Sequence, residues 1–141
     1  MRPGPRDGSG RLDVLIAATV VGILAVLFHV AAFVLESVLW TRPAVFARFN
    51  IATQQEAETI RPMAYNQGFY NLALAIGVAV GLVLLTRDGD ALIVGKTLVI
   101  FGTACMAVAG SVLMSTGRQY LKSAVGQFVP AIVTLALVAF S

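Results

Sequence analysis

Apolar positions fill this chain in four long runs, at residues 14–35, 72–86, 97–115 and 128–140, separated by short polar stretches. Crossing the hydrocarbon of a bilayer takes about 20 apolar residues in a helix. Each run, with its flanks, therefore reads as a membrane-spanning helix, and four such helices use nearly the whole sequence. The expected fold is all-α: an integral membrane four-helix bundle, with a short interfacial helix in the first loop.

Punctuation along the chain divides it further. Residues 1–12 contain Pro3, Pro5, Gly4, Gly8 and Gly10 and read as a flexible tail, leaving 13–141 as a single transmembrane domain. Asp13 is placed to cap the first span, which runs to about Trp40, with Pro43 soon after. The connection 41–65 mixes Arg42, Arg48, Glu56, Glu58 and Arg61 with Val45, Phe46, Phe49 and Ile51, as a helix lying at the interface would. Pro62 is expected to stop that helix, and the second span to begin near Tyr65 and end before Thr86. Arg87, Asp88, Gly89 and Asp90 turn the chain. The third span covers about 91–116 with Gly117 at its end, and the fourth about 119–140. Gly77 and Gly81 form a small-xxx-small pair that lets another helix, or another copy of the chain, approach closely.

Composition narrows the classes of function. Hydrophobic residues make up 58% and charged residues only 12%, far too few charges for a soluble domain. The ten Lys and Arg are scattered singly at segment ends, which suits headgroup anchoring and argues against nucleic acid. Arg2, Arg6 and Arg11 precede an apolar run too long for a signal peptide, so the first helix is expected to be retained. Five basic residues fall on each side of the membrane, and the arginines before the first span favour cytoplasmic termini. With one His and one Cys, no zinc site of the usual composition can form, and Cys105 reads as a small hydrophobe. Phosphate loops, nucleophile elbows and zinc-protease motifs are absent, and no cofactor is expected.

Helices alternate in direction, so the end of the first, start of the second, end of the third and start of the fourth share one side of the membrane. All four places are polar. His29 and Glu36 lie seven residues apart, about 10 Å along one helix stripe, and Trp40 continues it. Asn66 and Tyr70 form a stripe on the second helix, with Gln67 and Asn71 beside them; Ser111, Ser115 and Arg118 share a face of the third. Gln127 faces with Ala131 and Thr134 on the fourth, where Pro130 frees the Gly126 carbonyl. Polar groups in a bilayer interior are costly and commonly mark functional sites. The expected site is thus Glu36 and His29 as proton-transfer groups, with Trp40, Asn66, Gln67, Tyr70, Asn71, Ser111, Ser115, Arg118 and Gln127 around a ligand. Structural alternatives stand beside it: Glu36 paired with Arg118 or Asn66, and Trp40 and Tyr70 as aromatic anchors in the headgroup belt.

His29, Leu35-Glu36, Leu39-Trp40, the block Asn66-Gln67-Gly68-Phe69-Tyr70-Asn71, Leu74-Ala75 with Gly77, and Gln127 with Pro130-Ala131 together resemble domain of unknown function 1304. That is a family of small bacterial integral membrane proteins, some of which carry the loose label epimerase. The resemblance covers about 13–140 and implies a four-helix protein of the bacterial plasma membrane. Family members often have an acidic residue before the histidine, where this chain has Phe28. The gathering of His, Glu, Asn and Trp is also similar, at fold level only, to sterol-isomerase-like membrane proteins.

Three functions are compatible with these residues. The first is binding, isomerising or epimerising a lipophilic small molecule by proton transfer between Glu36 and His29. The second is a small homo-oligomeric transporter or channel subunit with the His29–Glu36 stripe along its path. The third is an accessory protein that stabilises a partner complex.

Overall fold

The computed structural model describes residues 8–141; the first seven residues of the expected tail lie outside it. Four long helices are joined by a short one: α1 (Gly8–Phe33), α2 (Pro43–Phe46), α3 (Gln54–Leu84), α4 (Asp90–Thr116) and α5 (Leu121–Ala139). Among the described residues, four segments are long and apolar enough to cross a membrane: Gly10–Val38, Gln54–Leu84, Asp90–Thr116 and Arg118–Ala139. α1 packs on α3 and α5, and α4 packs on the same two, so the long helices form a square bundle with a shared interior.

Small residues build that interior. Ala18, Gly22, Ala25 and His29 make the buried stripe of α1, while Ile16, Val20, Ile23, Leu24 and Leu27 point outward. In lipid, large apolar side chains are at ease on the outside, and close helix approach over small residues supplies the packing. Gly81 of α3 and Gly95 of α4 face each other: a Cβ on either would sit 3.0 Å or less from the other helix. Gly102 of α4 meets Val78, and Gly110 meets Phe128 of α5. Gly77, by contrast, has nothing within 4 Å. The expected Gly77–Gly81 seam is therefore divided, because Gly81 is used inside the bundle and Gly77 is not.

Polar groups in the core satisfy themselves locally. Thr103 and Thr134 are fully buried, and their hydroxyls donate to the Val99 and Pro130 carbonyls at 2.6 and 2.7 Å. Cys105 is half-buried within α4.

The helix boundaries differ from expectation in three places. α1 reaches back to Gly8, so Asp13 lies exposed within it and caps nothing. α3 runs unbroken through Pro62, so there is no separate helix ending there. Proline removes one donor, to the carbonyl four residues back. Here that carbonyl belongs to Glu58, which is exposed and can turn to water. What remains of the interfacial helix is α2 and the 3-10 turn Ala47–Phe49. The start of α3 is set by Thr53, whose Oγ1 accepts from the Glu56 backbone N–H at 3.2 Å. Glu56 in turn accepts from the Ala52 N–H at 3.2 Å.

The third difference is at the far end of α1. The first span does not run as α-helix to Trp40; from Val34 to Val38 it is a π turn, closed by the Leu39 N–H donating to the Val34 carbonyl at 2.9 Å. Such single-turn widenings are rare and recur at functional sites. α3 lies hard against this one at Gly68. A Cβ there would collide with Ser37 Oγ and come within 3.2 Å of the Glu36 Cβ and the Phe33 carbonyl. Ser37 Oγ also donates to the Tyr65 carbonyl at 2.9 Å.

Gly68→Ala is therefore expected to destabilise the bundle by about 1–3 kcal/mol, the usual cost of overpacking. Gly77→Ala should be neutral or stabilising by up to about 1 kcal/mol, since a helix favours alanine. Thermal melts by circular dichroism in detergent compare the two.

Candidate functional site

The ends of α1 and α4, the first half of α3 and the start of α5 surround a cavity of about 680 Å³. Its apolar wall includes Phe28, Ala32, Leu35, Val112 and Leu113. Its polar lining is Glu36, Gln67, Asn71 and Gln127, with Thr116, Tyr120 and Ser123 from the α4–α5 side. Arg48 and Phe49, from the turn after α2, complete it. Volume and composition both fall in the usual range for small-molecule sites, mostly apolar with a few convergent polar groups.

Glu36 projects from the π turn, and its Oε2 accepts from Asn71 Nδ2 at 2.7 Å. That short bond joins the end of α1 to the middle of α3. The alternative partners proposed for Glu36 lie elsewhere: Asn66 and Arg118 are exposed and outside the cavity lining.

His29 is fully buried one layer behind. Its Nδ1 lies 2.9 Å from the Ala25 carbonyl, and its Nε2 lies 3.4 Å from Gln127 Nε2. The Phe28 ring stands edge-on to it, centroids 5.7 Å apart. His29 thus does not line the cavity but backs two residues that do, Phe28 and Gln127, and Glu36 is hydrogen-bonded to Asn71 rather than to His29. No hydrogen bond joins His29 to Glu36: seven residues of helix set them about 10 Å apart along the first span, and Asn71 of α3 takes the carboxylate.

Trp40 is buried away from the cavity. Its Nε1–H donates to the Ala57 carbonyl at 2.8 Å, and its ring packs on Phe49 with centroids 5.0 Å apart. Its contribution is to hold the turn that brings Phe49 and Arg48 to the cavity. Tyr70 is exposed and does not line the cavity. Ser111 and Ser115 return their hydroxyls to the Ala107 and Val112 carbonyls at 2.8 and 2.6 Å, so the last turns of α4 spend those groups on their own backbone. Gly126 sits against the Phe28 ring, where its lack of a side chain lets α1 and α5 approach. Among the described residues no three His, Cys, Asp or Glu side chains gather as metal ligands.

Beyond the apolar wall, five lining residues lie outside the expected site: Arg48, Phe49, Thr116, Tyr120 and Ser123. For two of them a signal was available. Tyr120, Ser123 and Gln127 are spaced three and four apart, one stripe at the start of the fourth span that continues into Ala131 and Thr134, whereas Thr116 closes α4 on the other side of Gly117. Arg48 and Phe49 had none, since only the folding-back of the first loop brings them in.

Bundle and cavity together define a multi-pass membrane protein with a mostly apolar chamber, carrying a few polar groups, near one end of its helices. The chain belongs to the family of proteins of unknown function DUF1304, whose model matches residues 23–139. Every residue that lines the cavity falls within that match. The resemblance carried by the Asn66–Asn71 block is borne out at the level of the family. No curated protein and no solved structure matches the chain.

Trp40→Phe keeps the ring contact with Phe49 but deletes the bond to Ala57. The expected loss is about 1 kcal/mol, the net worth of one hydrogen bond, read as a lowered melting temperature by circular dichroism.

Proposed function

We propose that the cavity binds a lipophilic small molecule carrying a polar group, and that Glu36 moves a proton to and from it. Isomerisation or epimerisation is the matching reaction class, since it needs only a proton removed from one position and returned to that carbon or a neighbouring one. The observation that carries this reading is a carboxylate held on one oxygen by Asn71, facing an otherwise mostly apolar chamber of about 680 Å³. An acid group positioned by one neighbour, with a free edge toward the ligand, is the geometry general acid–base chemistry requires. The bacterial plasma membrane is the setting we assign to it, from the family's character and the four spans.

Gln67, Asn71 and Gln127 orient the ligand's polar group in this reading, and Phe28, Leu35 and Leu113 contact its apolar body. Phe49 closes over it from the loop. His29 acts behind Gln127 and does not exchange protons with the ligand directly.

Native mass spectrometry of the purified protein tests the binding. A co-purifying lipophilic molecule is expected, and a chamber filled only by detergent would count against the proposal. Incubating that complex in heavy water then tests the chemistry. The ligand should gain deuterium at carbon with wild-type protein and lose that exchange by at least about 100-fold in Glu36→Gln, the scale of a single acid–base group. Gln at 36 can still accept from Asn71, so the variant should fold. Exchange at the wild-type rate in Glu36→Gln would remove Glu36 from the mechanism.

A further inference from the structure

Gln127 is the side chain through which the buried interior reaches the cavity, and its two ends are not equivalent. Its Nε2 lies against His29 Nε2, while the residue lines the chamber. The other ring nitrogen, Nδ1, sits 2.9 Å from the Ala25 carbonyl. A carbonyl oxygen can only accept, so Nδ1 carries a hydrogen. An imidazolium in this fully buried position, with no carboxylate against it among the described residues, would be costly, which leaves the neutral ring. In the neutral ring Nε2 is an acceptor, so the end of Gln127 that faces it must be the amide NH2. The Gln127 carbonyl oxygen is then the end left for the cavity.

Asn71 repeats the pattern. Its NH2 is committed to the Glu36 carboxylate, leaving its own carbonyl oxygen free. Tyr120 and Ser123 also line the chamber, but hydroxyls rotate and can donate or accept, so they set no preference. Gln67 and Thr116 are in the lining too, an amide and a hydroxyl that can likewise turn either way, and Arg48, the one obligate donor there, is exposed on the loop.

We infer that His29 is a positioning residue that locks Gln127 as a hydrogen-bond acceptor. The cavity therefore selects lipophilic molecules whose polar group donates a hydrogen, an alcohol or an amine, over ketones, ethers and esters. This inference rests on the reading of the cavity as a lipophilic site and adds the polarity of its ligand.

The test is calorimetric titration of the full chain in nanodiscs with n-octanol, n-octylamine and methyl hexyl ketone, corrected for partitioning into empty nanodiscs. Alcohol or amine should bind about tenfold tighter than the ketone, the discrimination one oriented hydrogen bond supplies. Whichever of the two binds tighter names the donor group. In His29→Phe the amide of Gln127 can turn either end to the ligand, so the donor-over-ketone ratio should fall toward one. A purely structural loss would weaken all three ligands together and leave the ratio intact, which would overturn the role given to His29. Should His29→Phe fail to fold, Gln127→Leu on the cavity wall serves in its place: alcohol and amine should lose about tenfold and the ketone little. Ketone binding equal to or tighter than the donors in wild-type protein overturns the inference while leaving the lipophilic site standing. Binding of none of the three overturns both.

Discussion

A side chain at position 68 would strike Ser37 and crowd the Phe33 carbonyl, and because glycine has none, α3 lies directly against the π turn that ends α1. The other features of the site follow from that contact. The π turn presents Glu36 and Ser37 toward α3; Ser37 bonds the Tyr65 carbonyl, and Glu36 reaches Asn71 further along the same helix. Beyond the turn, Trp40 bonds the Ala57 carbonyl near the start of the same helix and supports Phe49. One close approach thus sets the carboxylate, its donor and the loop that closes the chamber.

The rest of the bundle supplies the setting in which that carboxylate matters. Helices in lipid gain little from burying apolar surface and must pack closely while satisfying every polar group internally. This chain does so with alanine and glycine facing inward and with Thr103 and Thr134 bonding their own helices. Against so economical a core, a cavity with Glu36, Asn71 and Gln127 on its wall is an exception. His29 is the deepest polar group near it, and its two bonds, to Ala25 and Gln127, give a fully buried imidazole a complete set of partners.

Much of this was legible before any coordinates. Run length and composition identified the four spans, Gly117 the end of α4, and alternation of helix direction the end of the bundle where Glu36, Asn71 and Gln127 meet. The Thr53–Glu56 capping pair is equally visible and marks where α3 starts, while Pro62 does not end a helix. Proline breaks a helix only where the orphaned carbonyl cannot find a partner, and at Glu58 water is at hand. Ser111, Ser115, Asn66 and Tyr70 are polar and on the correct side, yet none of them lines the cavity. Helical spacing does not say whether a hydroxyl turns to its own backbone or whether a stripe faces out.

By itself the sequence determined the class of protein, since hydrophobic length depends only on local composition and the thickness of a bilayer. It also determined which side of the bundle is polar, because helix direction alternates with every short turn. The tertiary structure alone decided which polar residues meet. That outcome depends on a one-residue widening at Val34–Val38, on the approach allowed at Gly68 and on the return of the first loop over the helix ends. The last two are long-range contacts between segments whose local sequence gives no sign of the other, so no periodicity within either could have announced them.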